Sequence, residues 1–128
     1  MQNLPILIVE DEFLIAMQAE DALTDAGFTI AGTVASADDA IRMAAEHRPA
    51  LAIMDIRLSG KRDGISAALE LFAAHGIRCI FATAHADQEV MGRAGPANPL
   101  GWLQKPYSMA SLVAAVERAL EELRLGRS

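Results

Sequence analysis

The sequence predicts an α/β fold in which five parallel strands form one open sheet, doubly wound by helices on both faces. Short runs of Ile, Leu and Val alternate with longer segments whose apolar residues recur at helical spacing, and this alternation runs through the whole chain. Right-handed strand–helix–strand crossovers then place helices on both sides of the sheet. Turn and cap residues fall at the boundaries between the two patterns. The length of 128 residues and a hydrophobic content of 52% suit one domain with one substantial core.

Taken in order, Pro5–Val9 reads as a strand buried on both faces, because it is apolar without alternation. Phe13 to Leu23 has helical spacing, and Gly27 punctuates its end. Thr29–Val34 is a weaker strand. Ser36 is placed to cap a helix over Ala37 to Ala45, with Asp38 and Asp39 in its first turn. Leu51–Met54 is the third strand, Ile65 to Phe72 the third helix and Cys79–Thr83 the fourth strand. From Asp87 to Gly101 the pattern breaks: Gly92, Gly95, Pro96 and Pro99 predict a short or irregular fourth helix, since an internal proline costs about 3 kcal/mol. Leu100–Gln104 is a weaker fifth strand, and Ser108 caps a last helix over Leu112 to Leu123.

Composition narrows the function. A net charge of −6 with no basic stripe, and 5% aromatic residues, leave neither a phosphate-tracking surface nor base-stacking platforms, so nucleic-acid binding by this chain is not expected. Cys79 is the single cysteine, which excludes an internal disulfide and fits a reducing, cytoplasmic compartment. The apolar run Leu4 to Val9 is too short to span a bilayer, and no membrane association is expected. Residues 1–128 are expected to form one domain, with no output domain in the short Leu125–Ser128 tail.

In an open parallel sheet, ligands bind beyond the carboxyl ends of the strands. There the first strand runs into Glu10, Asp11 and Glu12, the third into Asp55, the fourth ends at Thr83, and the fifth runs into Lys105 and Pro106. Carboxylates gathered with little positive charge repel one another, and a hard cation with oxygen ligands, Mg²⁺ above all, is the usual means of holding them together. Such a cation also reduces the repulsion between a phosphoryl donor and the Asp55 carboxylate, with Lys105 and the Thr83 hydroxyl free to contact the other phosphoryl oxygens. Each residue alone has a plainer reading: Asp11 as an N-cap with Glu12 on the helix dipole, Asp55 as a turn cap, Lys105 as solvated surface. Their joint placement at four strand ends favours the functional one.

Leu7-Ile8-Val9-Glu10-Asp11-Glu12, Ala52-Ile53-Met54-Asp55-Ile56-Arg57-Leu58, Asp63-Gly64, Phe81-Ala82-Thr83-Ala84 and Lys105-Pro106 together resemble the response-regulator receiver family of two-component phosphorelays over essentially the full chain. The resemblance implies the flavodoxin-like (CheY-like) strand order 2-1-3-4-5. It makes Asp55 the phosphoacceptor, and Glu10, Asp11, Asp55 and the Arg57 main-chain carbonyl the ligands of Mg²⁺, or of Mn²⁺. It gives Thr83 the hydroxyl switch, Lys105 the phosphoryl contact, and Trp102 an aromatic position that moves with Thr83, beside the reading of Trp102 as a packing residue. It also implies a cis Lys105–Pro106 bond. A sensor histidine kinase or histidine phosphotransfer protein is the implied donor, and the chain is expected to assist its own phosphorylation and dephosphorylation. The signal then leaves through contacts with a downstream protein, or the chain acts as a phosphate sink.

Phe81-Ala82-Thr83 and the glycine- and proline-rich segment before Trp102 resemble the receiver subgroup named FAT GUY, although Ala84-His85-Ala86 departs from the second half of that motif. A pseudo-receiver that binds proteins without phosphorylation is the competing class, and the complete set Glu10, Asp11, Asp55, Thr83 and Lys105 argues against it. A phosphatase with an aspartyl-phosphate intermediate would need Asp-x-Asp after the first strand, where Asp11 is followed by Glu12 and Phe13. His85 is near enough to Thr83 in sequence to lean over the site, while His47 and His75 suit helix ends and Cys79 and Met54 suit the core. Partner recognition is expected on the first helix, where Phe13, Ile15, Ala16 and Ala19 exceed one buried stripe, and on the surface from Ala86 to Tyr107.

Overall fold

The computed structural model of the chain describes residues 4–126. The strands are β1 (Ile6–Val9), β2 (Ile30–Val34), β3 (Leu51–Asp55), β4 (Arg78–Thr83) and β5 (Gly101–Gln104). They alternate with the helices α1 (Phe13–Asp25), α2 (Ala37–His47), α3 (Gly64–His75), α4 (Gln88–Ala94) and α5 (Met109–Arg124). All the strands pair in parallel, in the order β2-β1-β3-β4-β5. Among the described residues, no helix is long and apolar enough to cross a membrane.

The period of two along each strand divides the core. Leu7, Val9, Ala52, Met54, Cys79 and Phe81 join the cluster that α2 and α3 cover. Ile6, Ile8, Leu51, Ile53, Ile80 and Leu103 join the other, which α1 and α5 cover. Beyond the last apolar layer, the same alternation carries Glu10, Asp55 and Lys105 on as extensions of the α1/α5 face, and puts Thr83 on the face of Phe81 and Trp102. The polar groups of the site are therefore the next rung of two apolar ladders.

Local chemistry sets the helix ends. The Ser36 side chain accepts from Asp39 N and that of Ser108 from Ser111 N, as their positions predict. Asp63 and Asp87 cap α3 and α4 in the same way. The fourth helix is short, 7 residues, and a 3-10 turn over Gly95–Ala97 follows it, because Pro96 lacks the N–H a regular helix would use. Gly64 opens α3 against β3, where a Cβ would collide with the Asp55 main-chain oxygen, so only glycine lets the helix start there.

Candidate functional site

The carboxyl ends of β1, β3, β4 and β5 surround an open cleft of about 610 Å³ whose walls include Asp11, Asp55, Arg57, Thr83 and Lys105. Backbone bonds hold these ends level: Glu10 N donates to Val34 O at 3.0 Å, Ile56 N to Ala82 O at 3.3 Å, and Lys105 N to Thr83 O at 2.9 Å. Glu10 and Asp55 are buried, 5% and 4% exposed, whereas Asp11 stands open to solvent.

Lys105 joins the two buried carboxylates. Its Nζ is 3.3 Å from Glu10 Oε1 and 3.3 Å from Asp55 Oδ2, with Glu12 Oε1 at 3.9 Å. Glu10 Oε2 also accepts from the Glu12 N–H at 3.0 Å. Burial, and the hydrogen bond and negative charge of Glu10, push the Asp55 carboxyl up to about 7, with Lys105 pulling the other way. Burial alone would lower the Lys105 ammonium, but Asp55 and Glu10 raise it, so it is a cation throughout the physiological range. The half-buried Tyr107 phenol is also raised, by burial and by the Glu10 charge.

One carboxylate oxygen from each of Glu10, Asp11 and Asp55 lies within 4.8 Å of the others. That spacing fits one hard cation with oxygen ligands: two of the donors are buried, the third is exposed, and an exposed donor would suit a cation such as Mg²⁺ that keeps part of its water. Asp11 does not cap α1. The N-cap position is Glu12, which makes no side-chain cap bond, so the Asp11 carboxylate is left to the cleft. Asp55 is likewise no turn cap.

On the other wall, the Thr83 hydroxyl engages the backbone of His85, accepting from His85 N at 3.3 Å and lying 3.4 Å from His85 O. Trp102 pairs in register with Phe81, their ring centroids 5.0 Å apart, and is partly buried on the same sheet face as Thr83. It does not line the cleft. The Lys105–Pro106 peptide is cis.

The apolar surplus of α1 is real: Phe13 is outward as expected, and Leu14 and Met17 join it in place of Ala16 and Ala19. Ala16 and Ala19 are buried and Ile15 is half-buried, while Phe13 and Leu14 are 73% and 72% exposed and Met17 is 45% exposed. The helix turns its larger apolar residues outward at the end nearest the cleft. Met91 on α4 is also exposed. Two contacts at the site escaped the sequence reading: Ser59 Oγ lies 3.4 Å from Asp11 Oδ2, and Arg93 pairs with Asp63 at 2.9 Å. The Asp63-Gly64 pair was a visible signal for the second, but nothing in sequence links Arg93 to it across thirty positions.

The family described as the response regulator receiver domain matches residues 6–117. The transcriptional regulatory protein PdtaR of Mycobacterium tuberculosis is 34% identical over 93% of this chain, which spans only 58% of that relative's length. The chemotaxis protein CheY of Halobacterium salinarum is 33% identical over 94% of this chain and 88% of its own. A CheY-like receiver domain protein from Methanospirillum hungatei superposes with a TM-score of 0.89 at 21% identity, covering 98% of this chain and 99% of its own, a likeness of fold alone.

Proposed function

The chain belongs to the response regulator receiver domain family, and on that premise we propose that Asp55 accepts a phosphoryl group from a phosphohistidine in a Mg²⁺-dependent reaction. The donor is a sensor histidine kinase or a histidine phosphotransfer protein. The observation that carries this reading is the setting of Asp55: a nearly buried carboxylate, 3.3 Å from a lysine ammonium, grouped with two further carboxylates on the wall of an open cleft.

Glu10, Asp11, Asp55 and the Arg57 main-chain carbonyl would hold Mg²⁺, with Mn²⁺ as the substitute, and the cation supplies counter-charge for the carboxylates and for an incoming phosphoryl group. The Asp55 carboxylate forms the new O–P bond as the P–N bond to the donor imidazole breaks, and the bonding pair leaves with the imidazole nitrogen. Asp55 must be ionised to attack, so anything that counters its upward shift favours the reaction. Lys105, already beside Asp55, donates to the added phosphoryl oxygens in a charge-assisted bond.

Thr83 reads the new group. Its hydroxyl leaves the His85 backbone for a phosphoryl oxygen, which releases the start of the β4–α4 connection, and Trp102 on the same face follows through its contact with Phe81. The exposed Phe13, Leu14 and Met17 beside the cleft suit the apolar helices of a phosphodonor, and Met91 marks the second surface. Phe81-Ala82-Thr83 and the short α4 before Gly95 support membership of the FAT GUY subgroup. We take residues 1–128 as one domain that signals by docking to a protein or by draining phosphoryl groups.

Incubation with Mg²⁺ and a small acyl phosphate tests the reading. Intact mass should rise by one phosphoryl group, and the rise should vanish in Asp55→Asn and in excess chelator. A rise that persists in Asp55→Asn would move the acceptor elsewhere.

A further inference from the structure

The three carboxylates of the cleft are not held equally. Both Glu10 oxygens are engaged, by the Glu12 N–H and by Lys105, and Asp55 is fixed by burial and by Lys105. Asp11 is exposed, and among the described residues its carboxylate has one hydrogen-bond partner, the Ser59 hydroxyl at 3.4 Å from Oδ2. An exposed aspartate samples several rotamers unless something selects one.

Ser59 sits in the connection between β3 and α3, and that connection is itself anchored. The Ser59 backbone forms a parallel bridge to Ser36, the N-cap of α2. Three residues on, Arg62 donates to Ser66 Oγ at 3.0 Å and to Glu70 Oε1 at 2.9 Å, which fastens the far end of the connection to α3. The hydroxyl is therefore presented from an anchored backbone to the one of the three carboxylates that, among the described residues, has no other hydrogen bond.

We propose that Ser59 is a positioning residue for divalent-cation binding, its hydroxyl selecting the Asp11 orientation that faces Glu10 and Asp55. The proposal rests on the reading of these three as cation ligands. Hydrogen-bond partners of ligating carboxylates orient them and tune affinity. At 3.4 Å the bond is long, so Ser59 contributes less than a ligand does.

Calorimetric titration of the full chain with MgCl₂ tests this in Ser59→Ala, Ser59→Thr, Asp11→Asn and the Asp11→Asn/Ser59→Ala double variant. Ser59→Ala should weaken Mg²⁺ binding about three- to ten-fold. Ser59→Thr, which keeps a hydroxyl, should stay within about two-fold of the unsubstituted chain. In the Asp11→Asn background the serine change should add nothing, and the metal-free unfolding midpoint should be the same with serine or alanine, because the role is exerted through Asp11. Unchanged affinity in Ser59→Ala, with Asp11→Asn weakened, overturns the role of Ser59 and leaves the cation site standing. An equal loss in the Asp11→Asn background, or a lowered metal-free midpoint, also overturns it in favour of a general loosening of the loop. Unchanged affinity in Asp11→Asn itself overturns the ligand reading beneath the proposal.

Discussion

Strands β1 and β3 and the segment from α4 to β5 flank the same cleft but are held by different means. Ile6, Leu7, Leu51, Ala52 and Met54 are fully buried between two helical layers, and Gly64 brings α3 into contact with the Asp55 backbone. Apolar burial of that kind is strong and fixes position from all sides, at roughly 25 cal/mol per Å². By contrast α4 buries only Ala94, and the 3-10 turn after it only Ala97. Directional polar ties supply much of the rest: Arg93 to Asp63, and Arg78 to Asn98 O at 2.7 Å and to Glu122 at 3.0 Å. On the proposed function, the phosphoacceptor Asp55 thus sits on the more densely packed part, and the response falls to the part that can rearrange without unfolding its neighbour.

Substitutions at the two regions should separate them by size of effect. Gly64→Ala places a Cβ against the Asp55 main-chain oxygen and the Met54 side chain, and should cost about 3 kcal/mol in urea unfolding. A cost near zero would mean that the β3–α3 junction is looser than its packing indicates. Arg78→Met removes a guanidinium that joins the α4–β5 connection to α5, and should cost about 2 kcal/mol. Hydrogen exchange should show the loss centred on residues 95–104, with β1 and β3 protected as before.

A third effect depends on pH, because two carboxylates flanking one connection are shifted in opposite directions. Asp55 is raised to about 7, so in chelator the folded state binds its proton more tightly than the unfolded chain does. Its contribution is full below the ordinary carboxylate value of 3.8 and is lost as pH rises towards 7. Asp63 is raised by burial, but the Ser66 N–H and the Arg93 guanidinium outweigh that and hold it below its ordinary value, so its contribution is lost as pH falls. Metal-free melting from pH 4 to 8 should show Asp55→Asn flattening the decline; a parallel profile would mean that Asp55 is not the destabilising charge. The smallest effect belongs to Arg93→Ala. This half-exposed pair is worth at most about 1 kcal/mol, yet its loss should speed amide exchange in α4 more than anywhere in β1 or β3.

The firmly held region was the legible one. β1, β3 and β4 are built on short unbroken apolar runs, and Glu10, Asp55 and Thr83 stand at the ends of those runs, so position alone brought the three together. The caps at Ser36 and Ser108 were readable because they act within three residues. What escaped depends on long-range geometry: Ser59 reaches Asp11 across forty-eight positions, and Arg93 reaches Asp63 across thirty. Helical spacing showed that Phe13, Ile15, Ala16 and Ala19 exceed one buried stripe but not which of them meet the sheet; Ala16 and Ala19 do, and Phe13 stands outward beside Leu14 and Met17. The phase of a helix on a sheet is fixed by packing that the period alone does not reveal.

Backbone NMR shifts before and after addition of a beryllofluoride phosphoryl mimic with Mg²⁺ test most directly the claim that chemistry and response occupy differently held regions. Large shift changes are expected from Thr83 through Tyr107, the Trp102 indole among them, and small ones in the apolar stretches of β1 and β3. Lys105→Ala should remain folded and lose most of the change around Trp102. Equal changes along β1, β3 and the α4–β5 segment, or a full response in Lys105→Ala, would contradict that claim.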